Sequence, residues 1–91
     1  MKHILTYETD KEYLKKRQPH RANHFEHIKK YNTKNQIILG GAIGEPVSGV
    51  LIIFDGMEQH VIEEFAQQDP YILNGVASNW KVEVWHEVLG S

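Results

Sequence analysis

Residues 3–8 alternate between the two sides of an extended chain, with Ile4, Leu5 and Tyr7 as the apolar members, and predict a strand. Thr9-Asp10-Lys11-Glu12 has the spacing of a capping box and opens a short helical turn. Pro19 suits the first turn of a longer helix running to about Tyr31, which the polar run Asn32-Thr33-Lys34-Asn35 ends. Residues 36–43 read as a second strand containing Gly40-Gly41, where a close approach to the backbone is expected. Gly44-Glu45-Pro46 with Ser48-Gly49 marks a hairpin-like connection. Residues 50–54 are apolar without a break, and Asp55-Gly56 then turns the chain into a helix over 57–68. Pro70 closes that helix, because proline drives the residue before it toward extended geometry. After a polar, glycine-containing passage, residues 80–88 alternate as a last strand.

The resulting order, β-α-β-β-α-β, is that of a ferredoxin-like α+β sandwich, an α/β plait with four antiparallel strands and two helices on one face. No repeat, linker or low-complexity segment divides it, so residues 1–91 are expected to form one domain. The strand over 50–54 is apolar in both registers and wants burial on both faces. Two helices cover only one face, and a bare apolar back would exceed the patch that a monomer tolerates. A homodimer pairing sheet to sheet is therefore expected, with Trp85 a candidate contributor.

Composition narrows the functional classes. The chain is 41% hydrophobic and 24% charged, with a formal net charge of −2, which is ordinary for a globular protein. Its densest basic run is Lys15-Lys16-Arg17, too little for the broad basic face that nucleic acid requires. No apolar run approaches the roughly 18 residues of a membrane span, and the first residues lack a signal-peptide layout. Cysteine is absent, excluding disulfides, thiolate metal sites and cysteine nucleophiles and agreeing with a cytoplasmic address. Six histidines are the main chemical resource.

Asp69 is the most telling acid. At about 100° per residue it falls roughly 40° from Phe65, on the apolar side of the second helix. It also lies at that helix's C-terminus, where the backbone dipole disfavours negative charge. On the first helix, Arg21, Phe25, Ile28 and Tyr31 define an inward stripe, and His24 lies between Ile28 and Tyr31. A buried imidazole needs partners for its ring nitrogens; a satisfied structural histidine and a functional one both fit. Two inward titratable groups on neighbouring helices suggest a pair, in which Asp69 fixes the tautomer of His24 and leaves the other nitrogen free as a base.

Other residues each allow two roles. Arg21 suits an anionic substrate group or a surface ion pair with Glu26 or another acid. Tyr71 suits a hydrogen bond to a ligand or an aromatic plug at the helix end. Gly41 allows a ligand to lie on the strand or accommodates a helix above it. His20, His24 and His27 share a helical flank and are a candidate metal set, although no Glu follows the first His as in H-E-x-x-H; the alternative for His20 and His27 is solvated flank. His60 and His86 have no motif around them, and His3 reads as a strand surface residue.

Arg21-x-x-His24, Gly40-Gly41-Ala42, Asp69-Pro70-Tyr71 and the closing Val84-Trp85 together resemble the YCII-related family over nearly the whole chain. The resemblance implies a dimeric α/β plait with a pocket whose active pair maps onto His24 and Asp69. It also implies chemistry on small ring or lactone-like compounds, including dechlorination of chlorinated hydroxyquinols. Two departures stand out: His27 occupies a position usually aliphatic, adding a second candidate base or ligand, and Gly41-Ala42 replaces the common Gly-Pro. The expectation is a small-molecule enzyme of lyase, isomerase or dechlorinating type, with no organic cofactor and no metal. His24 would be its general acid or base, Asp69 its orienter, and Arg21, Gly41 and Tyr71 its substrate contacts. The alternative is a non-catalytic module binding a small ligand or partner with the same dimeric fold.

Overall fold

Strand β1 (Lys2–Thr9) buries His3, Leu5 and Tyr7 and leaves Ile4 and Thr6 half-buried on its other side, as the two-residue period of a strand requires. It pairs antiparallel with β3 (Gly49–Asp55) on one side and β4 (Ala77–Trp85) on the other, and β2 (Ile37–Ile43) closes the far edge beside β3. The strand order is β2-β3-β1-β4, so the chain is an antiparallel ferredoxin-like α+β sandwich, as the pattern predicted. The computed structural model describes residues 1–90. The expected β2–β3 connection requires its first glycine. Gly44 has φ +95°, and a Cβ there would lie 2.8 Å from both the Pro46 carbonyl oxygen and Ser48 Oγ.

On one face, Val50, Ile52 and Phe54 of β3 stand beside Tyr7, Leu5 and His3 of β1. Helix α3 (Gln59–Gln68) lays Ile62, Phe65 and Ala66 onto this face, the spacing of an amphipathic helix. Phe65 meets Phe54 edge-on at 5.6 Å. Full burial of Leu5, Phe54, Ile62 and Phe65 stabilises the fold by about 1.5–3 kcal/mol each. The opposite face carries Ile4, Thr6, Leu51 and Ile53 at its centre, with Leu39, Ile43 and Trp85 exposed around them. Among the described residues nothing covers Leu39, which is 66% exposed.

Several local expectations are corrected. The last strand spans Ala77–Trp85 rather than 80–88: Ala77 and Ser78 pair with Thr9 and Glu8, and Trp85 already faces Lys2, where β1 begins. The Thr9 hydroxyl donates to the Val47 carbonyl instead of capping a helix. Asp10 Oδ1 accepts the Glu12 N–H at 2.8 Å, an Asx turn leading into the single turn α1 (Tyr13–Lys16). Pro19 lies in a 3-10 turn (Gln18–His20), and α2 runs Arg21–Tyr31. A one-turn helix α4 (Pro70–Leu73) fills part of the passage read as irregular. His3 is buried, not a surface residue, because it shares the core register of Leu5 and Tyr7; its Nδ1 is enclosed without a partner.

Candidate active site

Asp69 sits where α3 ends and α4 begins. Its backbone is extended (φ −64°, ψ 125°), as a residue before proline prefers, so it is both the C-cap of α3 and the N-cap of α4. The carboxylate is therefore not stranded at an unfavourable helix pole: Oδ1 accepts the Tyr71 backbone N–H at 2.9 Å, the stabilising end of the next helix. Oδ1 also receives His24 Nδ1 at 2.8 Å, and Oδ2 receives the Tyr7 hydroxyl at 2.7 Å. The side chain is wholly buried. A carboxylate only accepts, so three donors converge on it and His24 carries a proton on Nδ1.

The expected pair, His24 and Asp69, is thus brought together, and the ring is fixed on a second side. Tyr71 stacks on His24 with centroids 3.8 Å apart and planes 6° from parallel. Tyr13 meets Tyr71 edge-on at 6.0 Å. His24 Nε2 has no hydrogen-bond partner among the described residues and is not enclosed. The ring lines a cleft of about 450 Å³ between α2 and the edge of the sheet. The cleft exists because α2 stands off the sheet. His24 is its one buried residue, while Phe25, expected inside, is 46% exposed and lines the cavity with Ile28. Val50, Ile52 and Ile37 form an apolar floor.

The glycines of β2 keep this floor open. Gly40 pairs with Ile52 on the helix side, and a Cβ there would touch only the Ile52 side chain, at 3.7 Å. Gly41 pairs with Leu51 and has open space around its Cβ position; both glycines line the cleft. Neither accommodates a packed helix. Arg21 lines the cleft too, its guanidinium 5.3 Å from the Phe25 ring centroid. It does not pair with Glu26, which instead holds Lys29 at 3.5 Å.

Three contributors were not singled out from sequence. Tyr7 closes the buried side of Asp69; burial and the adjacent carboxylate push its phenol far above the ordinary tyrosine value. The inward register of β1 was the available signal. Tyr13 and Arg17 line the cleft from α1 and the residue after it, Arg17 lying 5.2 Å over the Tyr13 ring. Burial raises the Tyr71 phenol, and the charges of Arg17 and Arg21 partly oppose that rise.

His27 is corrected from candidate base to structural residue. Its Nε2 donates to the Phe65 carbonyl at 2.8 Å. That carbonyl is one of the orphan acceptors of a helix's last turn, since the Asp69 N–H goes to Ala66 instead. The His20/His24/His27 set does not come together as a cluster. No group of three or more His, Asp or Glu able to hold a metal occurs among the described residues. His60 is exposed beside Glu58, 3.3 Å away, and His86 is exposed.

The site is thus a tyrosine-backed His–Asp pair beside a small open cleft on a four-stranded α+β plait. The chain belongs to the YCII-related domain family, whose profile matches residues 1–86. Among solved structures it is similar to 5-chloro-2-hydroxyhydroquinone dehydrochlorinase from Burkholderia phenoliruptrix AC1100, in complex with 2,5-dihydroxybenzoquinone. The TM-score is 0.74 over 94% of each chain at 19% identity, a likeness of fold. No curated protein matches. No helix among the described residues is long and apolar enough to cross a membrane.

Proposed function

We propose that this protein is a small-molecule enzyme of the lyase, isomerase or dechlorinating type, working by general acid–base chemistry without an organic cofactor. One observation carries the reading: Asp69 holds the Nδ1 side of His24 at 2.8 Å in a buried network while the ring lines an open cleft. Nε2 accepts a proton from a substrate C–H or O–H, and the imidazolium that forms is stabilised by the carboxylate behind it. Returning that proton to another atom gives isomerisation. Loss of a leaving anion from the neighbouring carbon, as the carbon–hydrogen pair becomes the new double bond, gives elimination. Tyr71 holds the ring flat, and Arg21, Gly41 and the Tyr71 hydroxyl are the substrate contacts. The dehydrochlorinase of like fold makes halogenated hydroxyquinols a sensible first set of compounds.

The test is a panel of hydroxylated cyclic compounds, 5-chloro-2-hydroxyhydroquinone among them, scored for chloride release and for solvent deuterium uptake. Long-range 1H–15N correlation is expected to show the Nδ1–H tautomer at His24, and Asp69→Asn to lose it. A His24 that shows the Nε2–H tautomer in the wild type would remove the proposed base.

The same reading includes a homodimer formed through the open sheet face, cytoplasmic and independent of nucleic acid. Leu51 stands on that face between Thr6 and Gly41, so Leu51→Lys would place a charge in the pairing surface. Light scattering is expected to give a dimer for the wild type and a monomer for Leu51→Lys. A wild-type monomer at tens of micromolar would defeat the pairing.

A further inference from the structure

Arg17 and Arg21 are four residues apart, on either side of the 3-10 turn Gln18–His20, and both line the cleft that His24 lines. Asp10 is engaged with Lys16 at 3.0 Å, Glu26 with Lys29 at 3.5 Å, and Asp69 with His24 and Tyr7, while Glu12 makes no ion pair with either arginine. Neither guanidinium makes an ion pair among the described residues. Each instead lies over an aromatic ring, at 5.2 Å for Arg17 on Tyr13 and 5.3 Å for Arg21 on Phe25. Those rings restrain the two side chains but leave their hydrogen-bond donors unspent. The Tyr71 hydroxyl is a further unspent donor, without a partner among the described residues, and both guanidinium charges act on it.

We infer that the cleft takes a planar cyclic carboxylate, with Arg17 and Arg21 clamping the carboxylate and the ring lying on the apolar floor against His24. Two unpaired guanidiniums at the wall of an otherwise apolar cleft leave a charge deficit that an oxyanion fills. The planar fork of arginine matches a carboxylate bidentately, and a carboxylate coplanar with a ring adds no thickness to it. A volume of about 450 Å³ lies toward the small end of ligand pockets, the size for one ring and its substituents. Arg21 and His24 are one helical turn apart, a Cβ spacing of about 5–6 Å, so the anchored carboxylate and the reacting proton would sit about a ring's width from each other. The inference deepens the proposed function and rests on it for the role of His24, but not for the anion contact.

The experiment is calorimetric titration of the full chain with three probes: 4-hydroxybenzoate, hydroquinone, in which a neutral hydroxyl replaces the carboxylate, and phenyl phosphate. The wild type is expected to bind 4-hydroxybenzoate at least tenfold more tightly than hydroquinone, with an affinity that falls as salt is added. Arg17→Gln and Arg21→Gln are each expected to weaken 4-hydroxybenzoate by about 10-fold or more and to leave hydroquinone within about twofold. Both variants replace a partly or fully exposed side chain, and a melting curve checks that they fold. Equal affinity for 4-hydroxybenzoate and hydroquinone, absence of 4-hydroxybenzoate binding, or an Arg17→Gln variant with wild-type affinity would each overturn the inference. Tighter binding of phenyl phosphate than of 4-hydroxybenzoate would overturn the carboxylate assignment. His24→Asn separates the two readings. Carboxylate binding that survives in it, with no acid–base activity found in the wild type, would sink the catalytic proposal and leave the anion clamp standing.

Discussion

Asp69→Ala is expected to destabilise the protein by about 3–5 kcal/mol, the cost of removing one member of a buried charged network. The carboxylate itself is costly to bury, but its loss leaves three donors behind. The Tyr7 hydroxyl, the Tyr71 backbone N–H and His24 Nδ1 all lose their acceptor, and each unsatisfied buried group costs about 1–3 kcal/mol. The cap of α4 goes with it. For a chain of this length such a loss lowers the melting temperature by about 15 °C or more. Tyr7→Phe is the graded control. It removes one donor, leaves Oδ1 fully occupied, and should cost about 1–2 kcal/mol. Chemical denaturation at fixed protein concentration measures both. An Asp69→Ala variant within 1 kcal/mol of the wild type would show that the network contributes far less than its geometry implies.

The same network marks the boundary of what the sequence could reveal. Element order was readable because β1, β3 and α3 each bury a regular stripe, and a period of two or 3.6 shows itself directly in the residues. The His24–Asp69 pair was readable because both are polar groups on apolar faces. Tyr7 escaped notice because a tyrosine in a strand needs no special explanation, and only the meeting of β1 with the start of α4 reveals its bond. The apparent penalty on Asp69 arose from reading α3 alone. A second helix one turn long begins at the same residue and reverses the sign of the dipole argument. Phe25 was misplaced for a related reason: an apolar stripe on a helix tells that something apolar is near, and here that is a cleft rather than a packed sheet. His27 looked chemical, yet its partner is a helix-end carbonyl that no side-chain pattern records. Arg17 was read as part of a basic run, when the turn at Gln18–His20 brings it to the same cleft as Arg21.

His24→Ala is expected to lower turnover by about 10²–10⁴-fold, the usual contribution of a positioned proton-transfer group, while the protein stays folded. The variant spares most of the network: Asp69 keeps the Tyr7 hydroxyl on Oδ2 and the Tyr71 N–H on Oδ1. Among the described residues no other imidazole or carboxylate lines the cleft. Asp69 is wholly buried behind the missing ring, and His27 is tied to the Phe65 carbonyl. The Tyr71 phenol, raised by burial, is a poor base. The loss should therefore fall on kcat and much less on KM, because the arginines and the apolar floor proposed to bind substrate are untouched. Asp69→Asn should fall nearly as far, through the wrong tautomer rather than a missing base, and its melting temperature separates that cause from unfolding. The measurement is solvent deuterium uptake and chloride release on the compound that the wild type turns over. His24→Ala retaining activity within about twofold in both assays would move the chemistry to some other group in the cleft.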